Sequence, residues 1–195
     1  MDPFTTRRYT HSRSLAMKSF TQEFGVLKSL AIIGLCILAA IIYGILHDQI
    51  TARICVEYFT IGHPPVFHTE SPTLLGLGWG IIATWWVGLI LGVPLAIAAR
   101  LGSRPEAAAA SLVKPVAVLL LIMAGCALLA GVTGFVLARH GLIFLTGALR
   151  SAIPPEKQVP FIADLWSHLA SYIVGFLGGI VLIVLTWRRR QKLRS

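Results

Sequence analysis

The sequence predicts an all-α integral membrane protein: a four-transmembrane-helix bundle with two extended outer loops, led by an N-terminal amphipathic helix. Three observations predict it. Hydrophobic residues make up 56% of the 195, against the roughly 45–50% usual for soluble domains. Mean hydropathy is +0.78. The apolar residues also fall into four runs, each long enough to cross about 30 Å of hydrocarbon as a helix, with the charges gathered in the flanks between them.

Residues 1–25 are polar and basic, with Arg7, Arg8, Arg13 and Lys18. Met17, Phe20, Phe24 and Leu27 recur at helical spacing, which predicts a short amphipathic helix on the headgroups. The membrane domain is expected over 26–187. Its first span covers 26–46, where Lys28 can snorkel to the interface. A cleaved signal peptide is the competing reading of this run. The run is long for one and no A-x-A-like site follows, so it reads as a span.

The second span covers 74–99. Gly88 and Gly92 give a GxxxG spacing that lets another helix approach closely, and Pro94 invites a kink. The third covers 116–137, with Pro115 placed to suit its first turn. The apolar stretch 141–149 is too short to span. It reads as a re-entrant piece, an interfacial helix or a continuation of the third span. Pro154, Pro155 and Pro160 then argue against regular helix. The fourth span covers 165–187, with Gly175 and Gly179 as a second close-packing pair, and a basic tail fills 188–195.

Lys and Arg number 17 against eight Asp and Glu, a formal charge of +9. The bases sit in short flanks, and no basic surface is interleaved with aromatics in a soluble segment, so nucleic acid is not the expected partner. The N-terminal segment, the 100–114 linker and the tail carry most of the bases. Four spans with both termini in the cytoplasm of a bacterial inner membrane satisfy the positive-inside rule. The expected partners are the lipid bilayer and a second copy or another membrane protein.

This topology gathers His47, His63, His68, His140 and His168 on the outer side with Asp48, Glu57, Glu70 and Asp164, and leaves only His11 inside. Histidine and carboxylate together are the usual ligands of zinc, iron and manganese and the usual members of proton relays. Asp164 and His168, four apart at the head of the fourth span, share a helical face. They suit two ligands of one ion, a carboxylate orienting a histidine, or a helix cap beside an interfacial His. His63 precedes Pro64 and Pro65 and is held on a stiff non-helical turn. The leading candidates for a divalent metal are therefore Glu57, His63, Asp164 and His168, with His47, Asp48 and His68 in reserve. If the first helix continues outward, Asp48, Thr51, Ala52 and Cys55 line one side and Glu57 the other. Arg53 is expected to pair with Glu57 or another outer carboxylate. Tyr43, Tyr58, Phe59, Trp79, Trp166 and Tyr172 read as an interfacial aromatic belt.

No CxxC, HExxH or GxSxG occurs, which argues against thiol–disulfide, zincin-type and serine-hydrolase active sites. The run HDQITARICVEYFTIGHPP, residues 47–65, resembles a family of small bacterial multi-pass membrane proteins sharing an HDQxTxxxCxEYFxxGHPP loop. That resemblance implies no activity. Three functions stay open: an outward-facing metal or proton-active site, a non-enzymatic membrane protein that binds a partner or lipid with structural histidines, and a small oligomeric permease.

Overall fold

A computed structural model describes residues 3–102 and 104–192, with side chains from residue 25 onward. The amphipathic face expected from Met17, Phe20 and Phe24 lies outside the described side chains. Among the described residues seven α-helices follow one another: α1 Pro3–Ile54, α2 Val56–Thr60, α3 Pro72–Ile82, α4 Trp85–Arg100, α5 Ala109–Arg139, α6 Gly147–Ala152 and α7 Gln158–Lys192. Among the described residues there is no strand. Among the described residues four segments are long and apolar enough to cross a membrane: Gly25–Ile54, Pro72–Arg100, Ala109–Arg139 and Pro155–Lys192.

The bundle is two tight pairs. Helix α1 packs on α3 and α4, α7 packs on α5, and the pairs join through α4 with α7 and α1 with α5. Glycine sets the first pair's closeness. A Cβ on Gly80 would stand 2.6 Å from the Ile45 backbone, and one on Gly88 2.6 Å from Cys36 O and Ile37 Cα. Gly92 faces Ile33 in the same seam, while Gly175 meets Met123 of α5 and Gly179 meets Leu91 of α4. Both sequence-derived glycine pairs therefore lie at helix–helix contacts.

Several expectations are corrected. Helix α1 runs to Ile54 rather than Leu46, so His47, Asp48 and Gln49 are helical residues, not a loop. The second span is broken at Ala83–Thr84. The break costs backbone hydrogen bonds, and Tyr172 Oη repairs one by donating to Ala83 O at 3.1 Å. Pro94 lies inside α4 without ending it. Pro115 is inside α5, which starts at Ala109, rather than in its first turn. Pro160 does not prevent helix: it is third in α7, where a residue lacking N–H forfeits no intrahelical bond. The 141–149 stretch is a turn with Gly141 at φ 70°, followed by the start of α6. Leu145 and Ile153 from this region are buried with Phe161 in one core.

That core sits at the end of the bundle bearing the 55–71 and 140–157 segments, here the loop end. It joins Cys55, Tyr58, Phe59, Leu75, Trp79 and Phe161. The expected aromatic belt is thus turned partly inward, because Tyr58, Phe59 and Trp79 are each less than a tenth exposed. At the opposite, basic end Arg190 is buried. It donates to the carbonyls of Ala98, Leu101, Arg104 and Pro105 and ties the α4–α5 linker to α7. Arg100 pairs with Glu106 at 2.7 Å and donates to Ser29 Oγ.

Candidate functional site

Two polar stripes face each other inside the bundle. On α1, Tyr43, His47, Asp48 and Thr51 fall at i, i+4, i+5 and i+8. On α7, Asp164, Ser167, His168 and Ser171 fall at i, i+3, i+4 and i+7. These spacings keep each set on one helix face. Asp48, Thr51, Asp164, Ser167, His168 and Ser171 are all less than a tenth exposed. Buried polar groups at this density need partners.

His168 supplies the key geometry. Its Nδ1 lies 2.8 Å from the Asp164 carbonyl, one turn back on its own helix. A carbonyl only accepts, so Nδ1 carries the proton and donates. That fixes the ring and aims Nε2 at Asp48 Oδ1, 3.2 Å away. Nε2 of a neutral ring protonated on Nδ1 is a lone pair, and a carboxylate oxygen is another. Two such atoms at this distance require a cation between them: a shared proton or a metal ion. His47 stands beside them, its ring edge-on to His168 at 4.5 Å between centroids and 78°. Its buried Nε2 has no hydrogen-bond partner. One ligand atom each from His47, Asp48 and His168 lies within 4.8 Å of the others. Among the described residues this is the group of three or more His, Cys, Asp and Glu that meets such a limit.

The expected quartet divides. His168 is in the group. Asp164 orients it through its backbone carbonyl, while its own two carboxylate oxygens are buried without a hydrogen-bond partner. Glu57 lies apart: Lys157 Nζ is 3.0 Å from one of its oxygens and Cys55 Sγ 3.4 Å from the other. Burial pushes the Glu57 carboxyl upward, but its own backbone N–H, Lys157 and Cys55 together hold it below the usual value. The Cys55 thiol is pushed up to about 12, first by burial, which leaves it protonated and unreactive.

His63 is a wall residue. Its Nδ1 donates to Tyr58 O at 2.8 Å, and its ring stacks on Phe59 and leans on Trp79 at 4.6 Å. Burial is the main cause that holds it below the ordinary imidazole value. His68 and Glu70 line a shallow hollow with Pro64 and Pro65, away from the buried group. Arg53 does not pair with Glu57. It donates to Gln49 Oε1 at 2.8 Å and to Thr73 Oγ1 at 2.9 Å.

Two cavities meet at His47 and Tyr43, whose rings stack at 5.7 Å. The inner chamber, about 80 Å³, is bounded by His47, Asp48, His168, His63, Tyr58 and the Ala83–Thr84 break. It is roomy enough for water, which needs about one probe sphere. The other is an apolar cleft of about 650 Å³ between α1 and α5, with His47, Asp164 and Ser167 at its edge.

No family model, no curated protein and no solved structure matches this chain. Sequence spacing alone did not single out Ser167 and Ser171. Both complete the α7 stripe, and Ser171 Oγ meets Tyr43 Oη at 2.8 Å. The i, i+3, i+4, i+7 polar pattern inside an apolar run was the available signal.

Proposed function

We propose that this protein is a membrane-embedded enzyme that holds a divalent ion of the zinc, iron or manganese class on His47, Asp48 and His168. The carrying observation is that His168 Nε2 and Asp48 Oδ1 converge to 3.2 Å with the His168 proton committed to the other ring nitrogen. Ligand atoms about 2.0–2.1 Å from a tetrahedral ion are about 3.3 Å apart, close to that separation. His47 Nε2, otherwise unpartnered, supplies the third ligand. Two imidazoles and one carboxylate leave a position open, as in catalytic rather than structural sites. The chamber gives that position room for water, which such an ion activates as a nucleophile. Asp164 acts as the outer support that fixes the His168 ring.

The His47–His168 end of the bundle faces away from the cytoplasm in this reading. The basic N-terminal segment, linker and tail lie inside, in a bacterial inner membrane. The 47–65 run is then the signature of a family sharing this site.

The test is elemental analysis of tag-free, detergent-purified protein beside His47→Ala. His47 Nε2 makes no hydrogen bond, so its loss spares the remaining network. Near one ion per chain in the parent and almost none in the variant supports the centre. No ion in either, after incubation with zinc, iron(II) and manganese, sinks it. A hydrogen-bonded proton site is then favoured, on the strength of the Tyr43–Ser171 and His168–Asp48 bonds.

A further inference from the structure

The chain between α5 and α7 has two sides. Burial alternates along its first part: Leu142 is 68% and Phe144 64% exposed, whereas Leu145 is buried and Ile143 packs on the same loop-end core. Such alternation sends the two pairs to opposite sides of the chain. The outward pair is held in place. Leu142 N donates to Leu137 O at 3.0 Å, and Gln158 Nε2 donates to Arg150 O at 3.0 Å, fixing both ends of the segment to the spans. A stray exposed leucine needs no explanation, but a leucine and a phenylalanine presented together on a fixed backbone do.

Place and charge decide what covers them. The segment leaves α5 at Arg139, directly beyond Val132, Phe135 and Val136, exposed apolar residues of a membrane-spanning helix. It therefore continues a surface that already meets lipid. Arg139 and Arg150, both exposed, flank the outward pair, and the Arg150 guanidinium lies over the Phe144 ring at 5.8 Å. No Asp or Glu occurs in residues 139–153. Apolar side chains edged by arginines and free of carboxylates suit the headgroup layer, where the guanidinium finds phosphate and the apolar groups find acyl chain. A second copy meeting this patch with its own would set arginine against arginine.

We propose that residues 139–150 form an interfacial foot: Leu142 and Phe144 insert at the headgroup–acyl boundary of the leaflet at the loop end, and Arg139 and Arg150 bind lipid phosphates. The other side of the foot is Ile143 and Leu145, in the core that also holds Tyr58. The Tyr58 ring stacks on His168 at 4.4 Å, so the bilayer holds down the roof of the buried polar group. The foot stands on exposure and charge and not on the metal. Loss of the metal reading leaves the foot unchanged, and loss of the foot leaves the metal content to be measured as before.

The experiment uses the full chain in nanodiscs of phosphatidylcholine and phosphatidylglycerol. A nitroxide is attached at Phe144→Cys or, separately, at Leu142→Cys, with the identically treated parent subtracted. Power saturation measures collisions with oxygen and with a water-soluble nickel chelate. Exposed Glu70→Cys gives the water reference and Leu128→Cys, 67% exposed within α5, the lipid reference. Nickel collisions at 142 and 144 should be about fivefold fewer than at Glu70→Cys yet more than at Leu128→Cys, as for a group in the boundary layer. Adding Arg139→Gln and Arg150→Gln should raise the nickel collisions at 144 about twofold, because the phosphates no longer hold the foot. Collisions at 142 and 144 equal to those at Glu70→Cys would put the pair in water and overturn the proposal. So would spectral broadening that disappears on dilution with unlabelled protein, which would put a second copy over the pair. No change on losing the two arginines would remove the phosphate contacts and overturn it as well.

Discussion

His168 and Asp48 are 120 residues apart in the chain and 3.2 Å apart in the bundle, and both are less than a tenth exposed. Their bond links α1 to α7, two helices that otherwise touch little, across the seam between the two packed pairs. It therefore joins the halves of the molecule as well as building the site. Truncating one partner leaves the other buried without its counter-group. His168→Ala or Asp48→Ala alone should cost about 3–5 kcal/mol, and the double variant less than the sum by about 1–3 kcal/mol. Thermal unfolding of the four proteins in one detergent reads the cycle. Additive losses would show that the two residues do not depend on one another.

Glycine at the α1–α3/α4 seam makes a sharper mechanical prediction. Gly80→Val places carbon against the Ile45 backbone at 2.6 Å, where no flexible side chain can yield. Overpacking of this kind costs about 1–3 kcal/mol, and more where backbone must move. Gly34 has nothing within 4 Å of its added Cβ. Gly34→Ala should be neutral or stabilise by up to about 1 kcal/mol through helix propensity. Melting temperatures of the two variants should move in opposite directions or differ by several degrees; equal shifts would mean that the seam is looser than its glycines indicate.

Much of this was readable from apolar length alone, because hydrocarbon thickness dictates about 20 apolar residues whatever the helices pack against. The four spans and both glycine pairs came from that and from spacing. The site was harder, for a specific reason. His47-Asp48-Gln49 follows an apolar run and looks like its polar end, yet nothing in Asp or Gln stops a helix. The partner that meets Asp48 inside the bundle is His168, far along the chain, and one sequence does not display that partner. Glu57 looked equivalent to Asp48 in type. Its place on α2, beyond the extended break at Cys55, and Lys157 brought near by the turn before α7, direct it elsewhere. Pro160 misled because a proline's effect depends on its distance from a helix start that the sequence did not mark.

Arg190 should act as the clasp of the basic end. Its guanidinium donates to four carbonyls of the 98–105 region, a set that a single ammonium cannot satisfy. Arg190→Lys should destabilise by about 2–3 kcal/mol and expose the linker to a glutamate-specific protease at Glu106. Limited proteolysis in detergent measures it. Arg189→Lys, an exposed neighbour, serves as the control, and matching cleavage rates would remove the clasp.

Two groups outside the spans set the pH dependence of the loop end. His63 is held below 6.5 chiefly by burial, with His168 adding to the depression and Tyr58 O and Asp48 opposing it. Between 6.5 and the folded value the unfolded chain binds the proton and the folded chain does not, so stability rises with pH there. His63's contribution is complete above 6.5 and is lost as pH falls through the folded value. Glu57, held below its ordinary 4.5, gives a second step in the same direction at lower pH: present above 4.5, lost as the carboxyl is protonated in the fold. A melting series from about pH 8 to about pH 2 should fall in two stages. His63→Phe keeps an aromatic ring among Tyr58, Phe59 and Trp79 and should flatten the upper stage alone. Glu57→Gln should flatten the lower. An upper stage that survives His63→Phe would remove His63 as its origin.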